Sequence, residues 1–169
     1  KNDSGVYEKR TILDINELVI TSEDAGFINF ILHPDFGTAG SLHENYIYTF
    51  YAFHPLLDEG NEERINRFSR FTVIDDQYTL NPSSEYTLIQ DYDPQGYHMG
   101  GGMLFDEEGF FYLTFGDGGV TNNGLGSAQQ ITDRFWGGII RIDLDNNPDR
   151  SHEIRRNTIF YLMDSRKDI

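Results

Sequence analysis

His98 and Asp117 are the two side chains whose types and settings could move a proton. His98 lies in Gly96-Tyr97-His98-Met99-Gly100-Gly101-Gly102, and Asp117 in Phe115-Gly116-Asp117-Gly118-Gly119. A histidine that takes a proton from a substrate needs a partner that fixes its tautomer and stabilises the imidazolium. A carboxylate in a glycine-rich loop can reach it without steric interference. Bare backbone at Gly100, Gly101 and Gly116 also allows a flat ligand to lie against the main chain, so these three are candidate cofactor contacts. Asn122, in the polar stretch after Asp117, is a candidate substrate contact. The plainer alternative is a loop histidine near an aspartate that caps a β-turn, and residue types alone leave both readings open.

The elements that must position this pair read as strands. Ten Tyr and thirteen Phe stand against four Ala, a balance that favours pleated, half-buried surfaces over helices. Candidate strands are Ile12 to Ile20, Phe27 to Leu32, Tyr46 to Phe53, Arg64 to Ile74, Tyr86 to Gln90, Met103 to Phe105, Phe110 to Phe115 and Gly138 to Leu144. Pro34 stops the second, because it lacks the ladder N–H. One slip in the alternation of the fourth suggests a bulge or bend. Asp106-Glu107-Glu108-Gly109 marks a hairpin turn, and Ser127 to Phe135 is the one stretch that reads as a short helical turn. Tyr46-Ile47-Tyr48-Thr49-Phe50 echoes Phe111-Tyr112-Leu113-Thr114-Phe115, which points to a repeated four-stranded sheet, the blade of a β-propeller. A β-sandwich with two similar aromatic strands is the competing architecture.

Charge and composition exclude several partners. The formal net charge of -15 repels phosphate backbones and anionic membrane surfaces, so nucleic acid is not an expected partner. No Cys is present, which removes disulfides, thiolate metal sites and cysteine nucleophiles. The longest near-continuous apolar stretch, Tyr46 to Phe53, is too short to span a bilayer. Lys1 to Arg10 is polar and carries no signal-peptide pattern, and the acidic composition fits a periplasmic or extracellular setting.

Other residues with chemical potential read as structural. His33 precedes Pro34 in a turn, and His43, His54 and His152 show no paired metal-ligand spacing, so no metal site is expected within these residues. Asp143-Leu144-Asp145-Asn146-Asn147 begins like a calcium loop but has Pro148 and Ile154 where an EF-hand needs Gly and Glu. Gly100-Gly101-Gly102 precedes a strand and is followed by no Lys-Ser/Thr, so it is not a phosphate loop. A glycoside hydrolase would need a second carboxylate beside Asp117, and none is evident.

Several motifs in series resemble one family, the soluble quinoprotein glucose/sorbosone dehydrogenases, also called aldose sugar dehydrogenases. Gly26 through Phe36 resembles that family's Gly-Leu-Leu-Gly, apolar pair, His-Pro-Asp-Phe segment. Asn45 to Tyr51 is similar to its next strand, Arg64-Ile65-Asn66-Arg67-Phe68 to its Arg-Val-Ser-Arg-Phe, and Ser84-Glu85 to its Ser-Glu. His98 through Gly119 resembles its His-Asn-Gly-Gly, apolar strand, Asp-Gly turn, Leu-Tyr strand and Gly-Asp-Gly-Gly without a gap. Phe135 to Asp143 resembles its Leu-Leu-Gly-Lys-Ile-Leu-Arg-Ile-Asp. Met99, Gly102 and Gly138 depart from that pattern, where Asn, a large residue and Lys are usual.

The resemblance implies an all-β, six-bladed β-propeller that binds pyrroloquinoline quinone (PQQ) and calcium over its central channel. It implies His98 as general base and Asp117 as the carboxylate that orients it. The reaction implied is oxidation of an aldose or related alcohol, with hydride passing to the quinone and on to a cytochrome or quinone acceptor. Residues 1–169 are expected to form a single partial propeller domain with about half the blades, continuing beyond the C-terminus. The calcium ligands are expected outside this stretch, and the remaining blades or another chain are expected to complete the fold. Non-enzymatic relatives use the same propeller as a binding surface, so a secreted protein- or carbohydrate-binding module is the alternative.

Overall fold

The computed structural model describes residues 5, 7–55, 64–75, 78–123, 126, 134–144 and 159–160. Among these, the chain is all-β and forms two four-stranded antiparallel sheets. The first contains β1 (Phe27–Leu32), β2 (Tyr46–Phe53), β3 (Ile65–Thr72) and β4 (Tyr86–Tyr92). The second contains β5 (Gly100–Phe105), β6 (Phe111–Phe115), β7 (Ile139–Ile142) and β8 (Ile159–Phe160). In both, spatial order follows chain order, as in a meander. The echoing segments Tyr46–Phe50 and Phe111–Phe115 fall in β2 and β6, the second strands of the two sheets.

Period-two alternation sorts the side chains of β2 and β3 onto two faces. Tyr48, Phe50 and Phe68 face the second sheet and join Phe111, Leu113, Phe115, Ile140 and Ile142 in the main core. Phe68 lies flat on Phe111 with ring centroids 4.8 Å apart, and Phe50 meets Phe115 edge-on at 5.6 Å. Ile47, Tyr51 and Phe71 point to the opposite face, where Ile15, Val73 and Leu80 cover them. That cover is incomplete, because Phe27, Phe30 and Leu32 are 44, 56 and 43% exposed.

The same opposite face carries a buried polar node. Glu85 Oε1 accepts hydrogen bonds from Tyr51 Oη and from Ser69 Oγ, the latter at 2.6 Å, and Arg67 Nη1 approaches at 3.4 Å. Burial, then the hydrogen bond to Glu85, pushes the Tyr51 phenol above its ordinary value, so it stays a neutral donor. The expected irregularity in the 64–74 strand is a register shift between Phe68 and Ser69 against β4, beside this node.

Residues 12–20 do not form a strand. Asn16–Leu18 is a 3-10 turn, set by Asp14 Oδ1 accepting from the Asn16 amide at 3.2 Å, and only Val19 bridges to Phe53. The short polar side chain at Asp14 competes for backbone donors and wins over the apolar pattern. The triple glycine does not precede a strand; it opens β5, with a register shift between Gly100 and Met103 against β6. Of the expected helical turn over 127–135, residues 127–133 lie outside the described residues.

Two connections leave the same end of the sheets. Residues 93–99, between β4 and β5, carry His98, and residues 116–138, between β6 and β7, carry Asp117. A Cβ on Gly116 would lie 1.2 Å from the His98 carbonyl oxygen, and one on Gly100 would lie 2.5 Å from the Gly116 nitrogen. The glycines therefore let the two connections meet backbone to backbone.

Two outcomes follow. Gly116→Ala should cost about 3 kcal/mol or more, because backbone must move to admit the methyl, whereas Gly26→Ala, where a Cβ meets nothing within 4 Å, should be near neutral. Glu85→Ala should cost about 3 kcal/mol by leaving Arg67 and the Tyr51 and Ser69 hydroxyls without their shared acceptor. Urea unfolding followed by circular dichroism measures both, and a Gly116→Ala protein as stable as the parent would contradict the steric account.

Candidate functional site

His98 adopts the left-handed backbone conformation, with φ of 54°, a region that histidine enters more readily than most residues. The preceding turn is built by Asp93, whose buried Oδ1 accepts from the amides of Gln95 and Gly96 at 3.1 and 2.9 Å. Asp-Pro-Gln-Gly is a turn sequence, and Gly96 takes the positive φ that the turn requires, 70°. From outside, the segment before β1 clasps the same turn. The Asp24 amide donates to Gly96 O at 3.2 Å, and Asp24 Oδ2 receives the His98 amide at a long 3.4 Å. Glu23 pairs with Arg64 at 3.1 Å, and Arg64 also donates to Gln95 O at 2.9 Å.

The histidine and aspartate chosen from the sequence are brought into direct contact. His98 Nδ1 lies 2.8 Å from Asp117 Oδ1. An ionised carboxylate only accepts, so the proton of this bond sits on Nδ1 and the lone pair falls on Nε2. Burial raises the Asp117 carboxyl, but the Gly119 amide and the His98 ring outweigh it and hold the group below its ordinary value. The His98 side chain is 56% exposed, so a substrate has access to it. An imidazole held in one tautomer by an anionic partner, with an accessible second nitrogen, can act as a general base toward a hydroxyl.

The remaining candidates are placed differently. Gly100 is exposed and Gly116 partly so, while Gly101 is buried where a Cβ would meet Ile28 at 2.6 Å and Phe50 at 2.9 Å. All three sit where protein atoms occupy the space a side chain would need, so close packing explains their identity. Asn122 is exposed, has φ of 56°, and belongs to the same connection as Asp117 but not to the hydrogen bonds of the pair. His33 is structural as expected: it is buried, its Nδ1 accepts from the Asp35 amide at 3.0 Å, and its ring stacks on His43 at 4.1 Å. The clasp formed by Glu23, Asp24 and Arg64 is the part sequence reasoning missed. Its signal was two adjacent acids just before the Gly26 segment, and an isolated Arg64 at the head of a strand.

Comparison with known proteins adds independent findings. The family model for glucose/sorbosone dehydrogenases matches residues 2–160. Among solved structures, a glucose dehydrogenase is 20% identical with a TM-score of 0.57, over 76% of this chain and 37% of that one. The soluble aldose sugar dehydrogenase of Escherichia coli, in the apo-form, is 19% identical with a TM-score of 0.58, over 74% of this chain and 32% of that one. The Hedgehog-interacting protein of Mus musculus is 24% identical over 148 residues, covering 85% of this chain and 20% of that protein. This chain thus spans about a third of the solved chains it resembles and a fifth of the curated relative. With residues 2–160 matched by the family model, the chain belongs to the glucose/sorbosone dehydrogenase family.

Proposed function

We propose that the protein oxidises an aldose or related alcohol, with His98 as general base and Asp117 as its orienting carboxylate. The contact of 2.8 Å between His98 Nδ1 and Asp117 Oδ1 carries this reading. His98 Nε2 takes the hydroxyl proton of the sugar, and the Asp117 charge stabilises the imidazolium that forms. Asn122 is the proposed polar contact to the substrate. The proposed setting is periplasmic or extracellular, with a cytochrome or quinone as downstream acceptor.

PQQ, with calcium, is the proposed cofactor, and when bound it supplies the hydride acceptor. The donor set described here fits the proton-transfer half of that chemistry. A tricarboxylate also needs cations, and Arg64, the cation tied to the His98 turn, already faces Glu23. No group of three or more metal-ligating side chains occurs among the described residues. The exposed backbone at Gly100 and the partly exposed backbone at Gly116 are the parts of this chain proposed to face the cofactor; Gly101 supports them from the core. Cations and calcium ligands are proposed to come from the rest of a six-bladed propeller, whose other blades, or another chain, also cover Phe27, Phe30 and Leu32.

A second reading is a non-catalytic propeller that binds protein or carbohydrate. The similarity to the Hedgehog-interacting protein favours it.

Reconstitution with PQQ and calcium, followed by dye reduction over a panel of sugars, separates the two. His98→Gln should lower turnover by about 10²- to 10⁴-fold without loss of cofactor affinity. His98→Asn, which keeps the left-handed backbone at low cost, should do the same and excludes a folding defect. Asp117→Asn should be similarly severe in rate. Because the folded Asp117 lies below its ordinary value, its charge persists throughout the neutral range. Any stability it contributes is full above the unfolded value of 3.8 and is lost as pH falls through the folded one. A His98→Asn protein with unimpaired turnover would sink the assignment of the base, and an inactive but folded parent protein would favour the binding reading.

A further inference from the structure

A polar cleft lies at the outer rim of the same end of the sheets. It has a volume of about 450 Å³ and is lined by Ile65, Gln90, Asp91, Tyr92 and Arg134. Tyr92 ends β4 and leads into the connection that carries His98, and Arg134 lies in the connection that carries Asp117, ahead of β7. The two connections that bring the catalytic pair together therefore also wall this cleft.

The walls are fixed in place. Asp91, whose side chain is 9% exposed, accepts from Arg134 Nη1 at 3.2 Å and from the Phe135 amide at 3.3 Å. The Arg134 guanidinium lies 4.8 Å from the Trp136 ring centroid and 5.4 Å from that of Tyr92. Trp136 Nε1 donates to Tyr92 O at 3.0 Å, tying the segment before β7 to the end of β4. A preorganised rim of this kind needs little ordering when a ligand enters.

The chemistry selects a neutral polyol. Arg134 is 42% exposed and gives one N–H to Asp91, leaving guanidinium donors for a ligand. Gln90 is exposed and presents both a donor and an acceptor. Tyr92 is 43% exposed and offers an apolar ring to the C–H face of a sugar. An anion gains little here, because Asp91 already balances Arg134 and the whole chain carries -15.

Position suggests how the two sites are joined. Residues 93–97 run from Tyr92, in the cleft, to His98, and Arg64, next to the cleft residue Ile65, donates to Gln95 O of that turn at 2.9 Å. One chain-like ligand can follow this connection from the cleft toward His98. We propose that the rim cleft is a subsite for a distal unit of a neutral oligosaccharide whose reacting end reaches His98. The link to His98 rests on the dehydrogenase reading, whereas saccharide binding in the cleft does not.

Trp136 is the single tryptophan of the sequence, so its emission reports the cleft without any turnover. Titration with glucose and with malto- and cello-oligosaccharides of increasing length should shift that emission, with affinity rising with length. Tyr92→Ala, and separately the surface change Gln90→Ala, should each weaken oligosaccharide binding about tenfold. In the reconstituted enzyme the same variants should raise KM for oligosaccharides by that factor and leave kcat and glucose turnover unchanged. Emission and affinity insensitive to every neutral oligosaccharide, or tighter binding of oligogalacturonate than of neutral chains, would overturn the subsite. Oligosaccharide binding that is lost in Tyr92→Ala, in a protein inactive on all sugars, would retain the subsite and reject the dehydrogenase reading.

Discussion

The close approach of Gly116 to the carbonyl of His98 is the constraint from which the candidate site follows. No side chain fits between these two backbones, and so the connection after β4 and the connection after β6 are locked in one relative position. Asp117, the next residue, is thereby delivered to His98 Nδ1 at 2.8 Å. The aromatic interface between the sheets gives this lock its footing. Phe50 against Phe115 and Phe68 against Phe111 set the height and angle at which the strand ends emerge. A pair of polar side chains more than a third exposed is held in place largely by apolar packing and backbone contact beneath it.

Electrostatics at this end of the sheets is consistently local. Arg64 faces Glu23, and Arg134 faces Asp91. Each cation with a described role near a strand end is matched by its own carboxylate, so the acidic surplus of the chain is not offset by a basic patch here. Association with a cationic partner surface is favoured by such a field, and association with an anionic one is steered away.

Much of this was legible in the sequence, for particular reasons. Strands β1 to β7 were visible because aromatic and β-branched residues alternate at period two and the breaks fall at Pro34, Gly109 and similar residues. The pair His98 and Asp117 was legible because each sits among glycines in a gapless block of motifs. The segment 12–20 misled because its apolar residues pack as a cover, through Ile15, while Asp14 and Asn16 write the backbone. The reason for the glycines was also hidden. A glycine that opens space for a ligand and one that admits a neighbouring carbonyl are the same letter, and the packing at Gly116, where an added Cβ would lie 1.2 Å from the His98 carbonyl oxygen, could not be read from it. The Glu85 node and the Asp24 clasp join residues far apart in the chain, which periodicity cannot reveal.

The left-handed backbone at His98 carries an evolutionary consequence. At φ of 54° the residues that rest most easily are Gly, Asn and Asp, with histidine next. The loop is held by the Asp93 carboxylate on the Gln95 and Gly96 amides and by backbone contact at Gly116, and none of these contacts uses the imidazole. A descendant can therefore exchange His98 for Asn and keep the surface intact while losing the proton acceptor. A scaffold built this way can lose its histidine in one codon-level step, with no repair of the fold required.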